Sequence, residues 1–201
     1  MGPHSWDVTN RVLYALCAEH PCHERGDEGA VLAKILLIGR AYAAAIERRR
    51  DKKTENDQSY DRDVVPALIK SRLDKWISEA CAINPHGKDA LRVATKAHGN
   101  TVQLFAGISA INNRSLASKY LHFHVPALFC IYDARAVKGM GALTSIVGRA
   151  SRDVGAGADK SYYQFTAKCI KLRDYCKDEF GLSLSPRQID NLLLACSDRR
   201  I

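Results

Sequence analysis

Asp133 stands at the end of an apolar run, Val125-Pro126-Ala127-Leu128-Phe129-Cys130-Ile131-Tyr132, and opens Ala134-Arg135-Ala136-Val137, which reads as a new helix. A carboxylate there caps the free amides of the helix, which favours its ionised form, while the preceding residues shield it from bulk water. The combination suits a general base or an anion facing a developing cation. A plain helix cap is the alternative reading of the same residue.

Lys119 and Lys138 flank Asp133 in sequence, with phosphate contact or solvated charge as the simpler reading of both. His122 and His124 lie two apart around Phe123, so on a helix they point in different directions. With no third ligand nearby, we expect neither a metal nor an organic cofactor. Arg40, Ala44 and Glu47 share one helix face at i, i+4, i+7, and the alanines from Ala41 to Ala45 leave room for a close neighbour.

Apolar periodicity predicts helices from Val8 to Cys22, Gly29 to about Lys53, Val64 to Ala82, Lys88 to about Ala97 and Thr101 to about Ile108. A hairpin and its second helix should occupy roughly Ala110 to His124. After Asp133 a helix should run to about Gly148, followed by a glycine-rich loop to Ala158. Helices at Ser161 to Phe180 and Pro186 to Cys196 complete the chain, the last opened by a Ser185 cap. No alternating run is long enough for a sheet, so the expected class is all-α.

The 201 residues suffice for a single compact helical domain spanning 1–201. Thirty Lys and Arg against 22 Asp and Glu leave a net charge of +8, which points to a polyanionic partner or to a merely basic surface. From Asn112 onward there are 14 basic and 8 acidic side chains, so most of the excess lies in the half that carries Asp133. Seven cysteines, an odd number without zinc-type spacing, argue against a disulfide framework and for a reduced cytoplasm. The first residues have neither a basic nor an apolar leader region, and no later segment approaches a membrane span. We expect a cytoplasmic, monomeric protein.

The passage Ser115-Leu116-Ala117-Ser118-Lys119-Tyr120 through Asp133 resembles the second half of the helix-hairpin-helix DNA glycosylase motif. When the family's Lys-Thr-Ala helix start is laid on Ser115-Leu116-Ala117, its catalytic aspartate falls on Asp133, eighteen residues later, as in endonuclease III and its adenine-excising relative. The resemblance covers about residues 107 to 140. It is suggestive at 35 to 50 and at 184 to 195, where the terminal helix looks like that of oxoguanine-glycosylase-like bacterial proteins and reads as a packing element. It implies a two-lobed helical fold in which Asp133 stabilises charge on the deoxyribose while water attacks.

Bifunctional members place a lysine where this chain has Ser115, and a hydroxyl cannot form their Schiff base. The resemblance therefore implies a monofunctional enzyme, with Ser115, Lys119 and Lys138 as possible catalytic support and Lys119 or Lys138 keeping a lyase open. Where Leu-Pro-Gly-Val-Gly is common in the hairpin, the chain has Ser109-Ala110-Ile111-Asn112-Asn113. Asparagine is the best substitute for glycine at positive φ, so Asn112 and Asn113 are expected to keep the turn. With Arg114, Ser115, Lys119 and Arg135 they form the expected DNA contacts. Arg40, Tyr42, Glu47 and Tyr132 are the expected pocket for a flipped base, with a packed helix rim as the plainer account of the first three. Cys169 and Cys176 have the first spacing of the family's iron–sulfur run, but Glu179 occupies the third ligand position, so no cluster is expected.

The expected partner is double-stranded DNA bearing a modified or damaged base. Excision of a bulky modified pyrimidine in phage defence, repair of oxidised or alkylated purines, and a non-catalytic DNA-binding module all fit the residues.

Overall fold

The computed structural model describes residues 5–47, 59–149 and 158–198, which are helical with no strand among them. Helix α1 spans Ser5–Glu19 and α2 spans Glu28–Ala41. A π-helical turn, Tyr60–Val64, leads into α3 at Val65–Ile69, followed by α4 at Leu73–Cys81 and α5 at Ala90–Ser109. Then come α6 (Arg114–His124), α7 (Ala134–Ala142), the single turn α8 (Thr144–Val147), α9 (Lys160–Phe180) and α10 (Pro186–Asp198). None of the described helices is long and apolar enough to cross a membrane.

Several expected boundaries move. Helix α2 ends at Ala41, because the chain turns back at Ala43 (φ 51°) and the Ala44 amide donates to the Gly39 carbonyl at 2.8 Å. Gly39 permits this: a Cβ there would lie 3.0 Å from the Ala45 Cα. Ala44 and Ala45 are consequently buried in the core, so the alanine run packs the turn and does not wall a roomy pocket. Residues 48–58, where the expected end of that helix falls, lie outside the described residues, as does most of the glycine-rich loop at 150–157.

The two helices expected between Lys88 and Ile108 are one, α5, which passes unbroken through a buried Gly99. Burial of Ala94, Ala97, His98, Thr101, Val102 and Phe105 offsets the helical cost of that glycine, about 1 kcal/mol. The expected helix at 64–82 is instead divided into the π turn, α3 and α4. The expected long helix after Asp133 is divided into α7 and α8. In the hairpin the left-handed residue is Ala110 (φ 58°), not an asparagine, and Asn113 (φ −85°) caps α6 by accepting from the Leu116 amide at 3.2 Å.

Two hydrophobic clusters organise the helices. The larger gathers α1 through α6 and extends to Phe129, with Tyr162 reaching in from α9. The smaller joins Cys130, Ala136, Met140 and Val147 to Phe165, Cys169 and Leu172 of α9 and to Ile189 and Leu193 of α10. The boundary in the chain thus falls between Phe129 and Cys130, three residues before Asp133. Tyr132 is half-buried and packs against both.

Helix α10 starts with a reciprocal cap, in which the Gln188 amide donates to Ser185 Oγ at 3.2 Å and the Ser185 amide donates to Gln188 Oε1 at 2.8 Å. It is clamped along α7 at both ends: Gly139 meets the Leu193 backbone, and Arg135 Nη2 donates to both carboxylate oxygens of Asp198, at 2.6 and 2.9 Å.

Candidate active site

Asp133 sits where the chain crosses from one cluster to the other, and the crossing is pinned from three sides. The His122 Nδ1 donates to the Phe129 carbonyl at 2.7 Å, the Tyr162 hydroxyl donates to the Cys130 carbonyl at 3.0 Å, and the Tyr132 amide donates to Ser118 Oγ at 3.0 Å. His122 can donate at Nδ1 because its Nε2 accepts from the Tyr14 hydroxyl, 2.7 Å away. These contacts bind an irregular segment to α6 and α9 and so set Asp133 opposite α6.

Asp133 caps α7 in extended conformation (φ −151°, ψ 177°), Oδ1 accepting from the Ala136 amide at 3.0 Å. Its other oxygen, Oδ2, lies 3.1 Å from Lys119 Nζ. Burial pushes this carboxyl up, but the Lys119 ammonium and the amides of Ala136 and Arg135 outweigh it and hold it below the usual carboxylate range. Capping therefore uses one oxygen of Asp133 and leaves the other facing the Lys119 ammonium.

Lys119 is only 2% exposed, and its ammonium is shared among Asp133, Ser115 Oγ at 2.9 Å and the Tyr42 carbonyl at 3.5 Å, 5.4 Å above the Tyr42 ring. Ser115 and Lys119 are one helical turn apart, so the longer side chain brings its amine back beside Ser115. An amine and a carboxylate 3.1 Å apart are thus held at the edge of a wall formed by Tyr42, whose ring tilts against Phe123 and against the half-exposed Trp6. The Tyr42 hydroxyl donates to Asn10 and faces the Arg187 guanidinium, and burial pushes it up to about 12.

The remaining expected residues are dispersed. Lys138 lies on the exposed face of α7, toward Asp198, and does not join Asp133. Arg135 is exposed but engaged with Asp198. Asn112 is exposed, whereas Asn113 uses Oδ1 for its cap and donates Nδ2 to the Ala44 carbonyl at 3.2 Å. Arg114 pairs with Asp159, the N-cap of α9, at 2.6 Å. Arg40 and Glu47 do meet, at 3.3 Å, but across the α2 turn and not along a helix face, and Glu47 also accepts from Tyr60. Tyr132 lines a cavity of about 490 Å³ with Met140, Arg149, Phe165 and Lys168.

Sequence reasoning missed the contribution of α10. Arg187 and Asp190 turn from it toward Tyr14 and Tyr42, which the reading of the terminal helix as packing did not anticipate. The one available signal was the i, i+3 spacing of an arginine and an aspartate beside the apolar face of an amphipathic helix. No group of three potential metal-ligating side chains occurs among the described residues. No family model, curated protein or solved structure matches the chain.

Proposed function

We propose that the chain is a DNA glycosylase that excises a modified base from duplex DNA. The observation that carries this reading is the Lys119–Asp133 pair, held at the capped start of a helix that follows a helix–turn–helix hairpin. The net charge of +8 supports a polyanionic partner. A nucleotide flipped out of the duplex would present its C1′ to Asp133. As the C1′–N bond lengthens, positive charge grows on the sugar, and an ionised carboxylate, partly shielded from water, stabilises it. Water then adds to C1′ and loses a proton to Asp133 or to solvent, leaving an abasic site.

The 3.1 Å contact favours a second reading of the same centre, in which Lys119 attacks C1′ itself. The amine must first lose a proton, for which Asp133 is the nearest acceptor. The bond formed is C1′–N, the bond broken is that to the base, and strand cleavage follows from the resulting Schiff base. Lys119 would then act from one turn further along the helix than the family's lysine. Borohydride, which reduces the Schiff base to a stable amine, separates the two readings: a covalent protein–DNA adduct supports the lyase and its absence supports hydrolysis.

The test of the glycosylase itself compares the protein with Asp133→Asn on ordinary DNA and on DNA carrying glucosylated hydroxymethylcytosine or oxidised purines. Released bases are identified by mass spectrometry and abasic sites by aldehyde probes. Asparagine caps a helix as well as aspartate, so DNA affinity should survive while base release is lost. Release by the variant, or none by the wild type with binding intact, overturns the proposal, the latter in favour of a non-catalytic DNA-binding module.

A further inference from the structure

Departure of a neutral base leaves an electron pair on a ring nitrogen, and a proton delivered to the base makes it a far better leaving group. Asp133 is held ionised and so cannot deliver one. A second carboxyl lies close by, on the first turns of α10. The Asp190 side chain is only 4% exposed, and Oδ2 accepts from Arg187 Nη1 at 2.8 Å. Its other oxygen, Oδ1, is buried with no hydrogen-bond partner.

A buried carboxylate with one bare oxygen is costly, and either a proton or a donor from a ligand removes the cost. The groups that share a field with Asp190 come from six elements. Arg187 is on its own helix; Tyr14 of α1, Tyr42 at the end of α2 and Cys169 of α9 all feel its charge; Lys119 belongs to α6; and Asp133 and Arg135 open α7. Burial pushes Asp190 up to about 6 against the pull of Arg187, and the neighbouring Asp133 charge adds to the rise while Lys119 and Arg135 oppose it. Two carboxyls in one field are thereby displaced in opposite directions, the arrangement that divides an acid from a base.

We infer that Asp190 is the proton donor to the departing base, its Oδ1 bonding the polar edge of the extruded ring. This rests on the glycosylase reading. In the step, the C1′–N pair moves onto the base, the Asp190 proton joins the base, and the water oxygen joins C1′. The proton that water sheds leaves through Asp133 or solvent, and Asp190 regains one from solvent before the next turnover. The substrate class follows: a neutral base with a proton-accepting ring nitrogen or carbonyl, as opposed to an alkylated cationic purine that departs without help.

The deciding measurement is single-turnover base release from about pH 5 to about pH 8 by the wild type, Asp190→Asn and Asp133→Asn, using duplexes that carry one 8-oxoguanine and DNA containing glucosylated hydroxymethylcytosine. The expected wild-type rate falls about tenfold per pH unit above the Asp190 pKa, and Asp190→Asn is slower by about 100-fold at low pH and flat across the range. An Asp190→Asn enzyme with the wild-type rate or the wild-type pH profile, alongside an inert Asp133→Asn, overturns the role of Asp190 and leaves the glycosylase standing. No release by the wild type from either probe overturns both. Should Asp190→Asn not fold, the carboxyl carbon of Asp190 followed by NMR in the wild type decides: a midpoint near 6 is expected, and one at the ordinary aspartate value overturns the proposal.

Discussion

The Cα of Gly139 faces the carbonyl of Leu193 so closely that a Cβ built on it would lie 1.9 Å from the oxygen. Both partners are helical backbone, which cannot rotate away as a side chain can. Gly139→Ala must therefore separate α7 from α10, and it should destabilise the fold by about 3 kcal/mol or more. Two residues on, Gly141 has nothing within 4 Å of its hypothetical Cβ. Gly141→Ala should be neutral or stabilising by up to roughly 1 kcal/mol. Urea unfolding of both variants checks the pair of opposite signs.

Lys119→Met removes the charge that holds the Asp133 carboxyl down while leaving its burial in place. The Asp133 titration, followed by carboxyl NMR, should therefore move up in the variant. In the wild type the depressed carboxyl contributes stability above its unfolded value of 3.8, and this contribution is lost as pH falls through the folded value. The variant should lack that loss, so the two stability curves converge in acid. An unmoved Asp133 titration would mean that the ion pair does not persist in solution.

His98 and His122 are both buried and pushed down to about 4 from an ordinary 6.5, chiefly by desolvation. The unfolded chain binds their protons first as pH falls, so folding stability declines between about 6.5 and 4 and is unaffected by them above that window. Each contributes on the order of 3 kcal/mol to that decline at full effect. His122→Gln should be less stable at neutral pH, because the Tyr14 and Phe129 contacts suffer, yet show a flatter acid limb in chemical denaturation at several pH values.

Arg114, at the start of the hairpin's second helix, is neutralised by Asp159. Asp159→Asn keeps an α9 cap while releasing the guanidinium. If the hairpin faces DNA, affinity should rise several-fold at low salt and the log–log salt dependence should steepen by about 1. Fluorescence anisotropy on an unmodified duplex reads both quantities, and an unchanged slope places Arg114 off the DNA face.

The position of Asp133 was legible because capping is a local rule: a carboxylate between an apolar run and a helix-forming segment has few other uses. Helices α9 and α10 were legible for a similar reason, with long periodic faces and clear starts. The end of α2 was not, since alanines favour helix and only the packing of Ala45 onto Gly39 turns the chain. Periodicity also could not show that Lys119 faces Asp133, because the route between them leaves the helix at His124 and is fixed by hydrogen bonds from His122, Ser118 and Tyr162. Asp190 escaped notice because its environment is assembled from five other stretches of chain.

The two halves of the ion pair belong to different hydrophobic clusters: Lys119 lies on a helix of the first, and Asp133 caps a helix of the second. A chain emerging from the ribosome completes the first cluster's α1 to α6 before α10 exists. Until that last helix docks, α7 lacks the Gly139–Leu193 contact and the Arg135–Asp198 pair, so the helix that Asp133 caps is not yet fully supported. The Lys119–Asp133 contact is therefore complete only in a molecule in which both clusters have formed, and on the glycosylase reading a partly folded copy would lack the assembled centre.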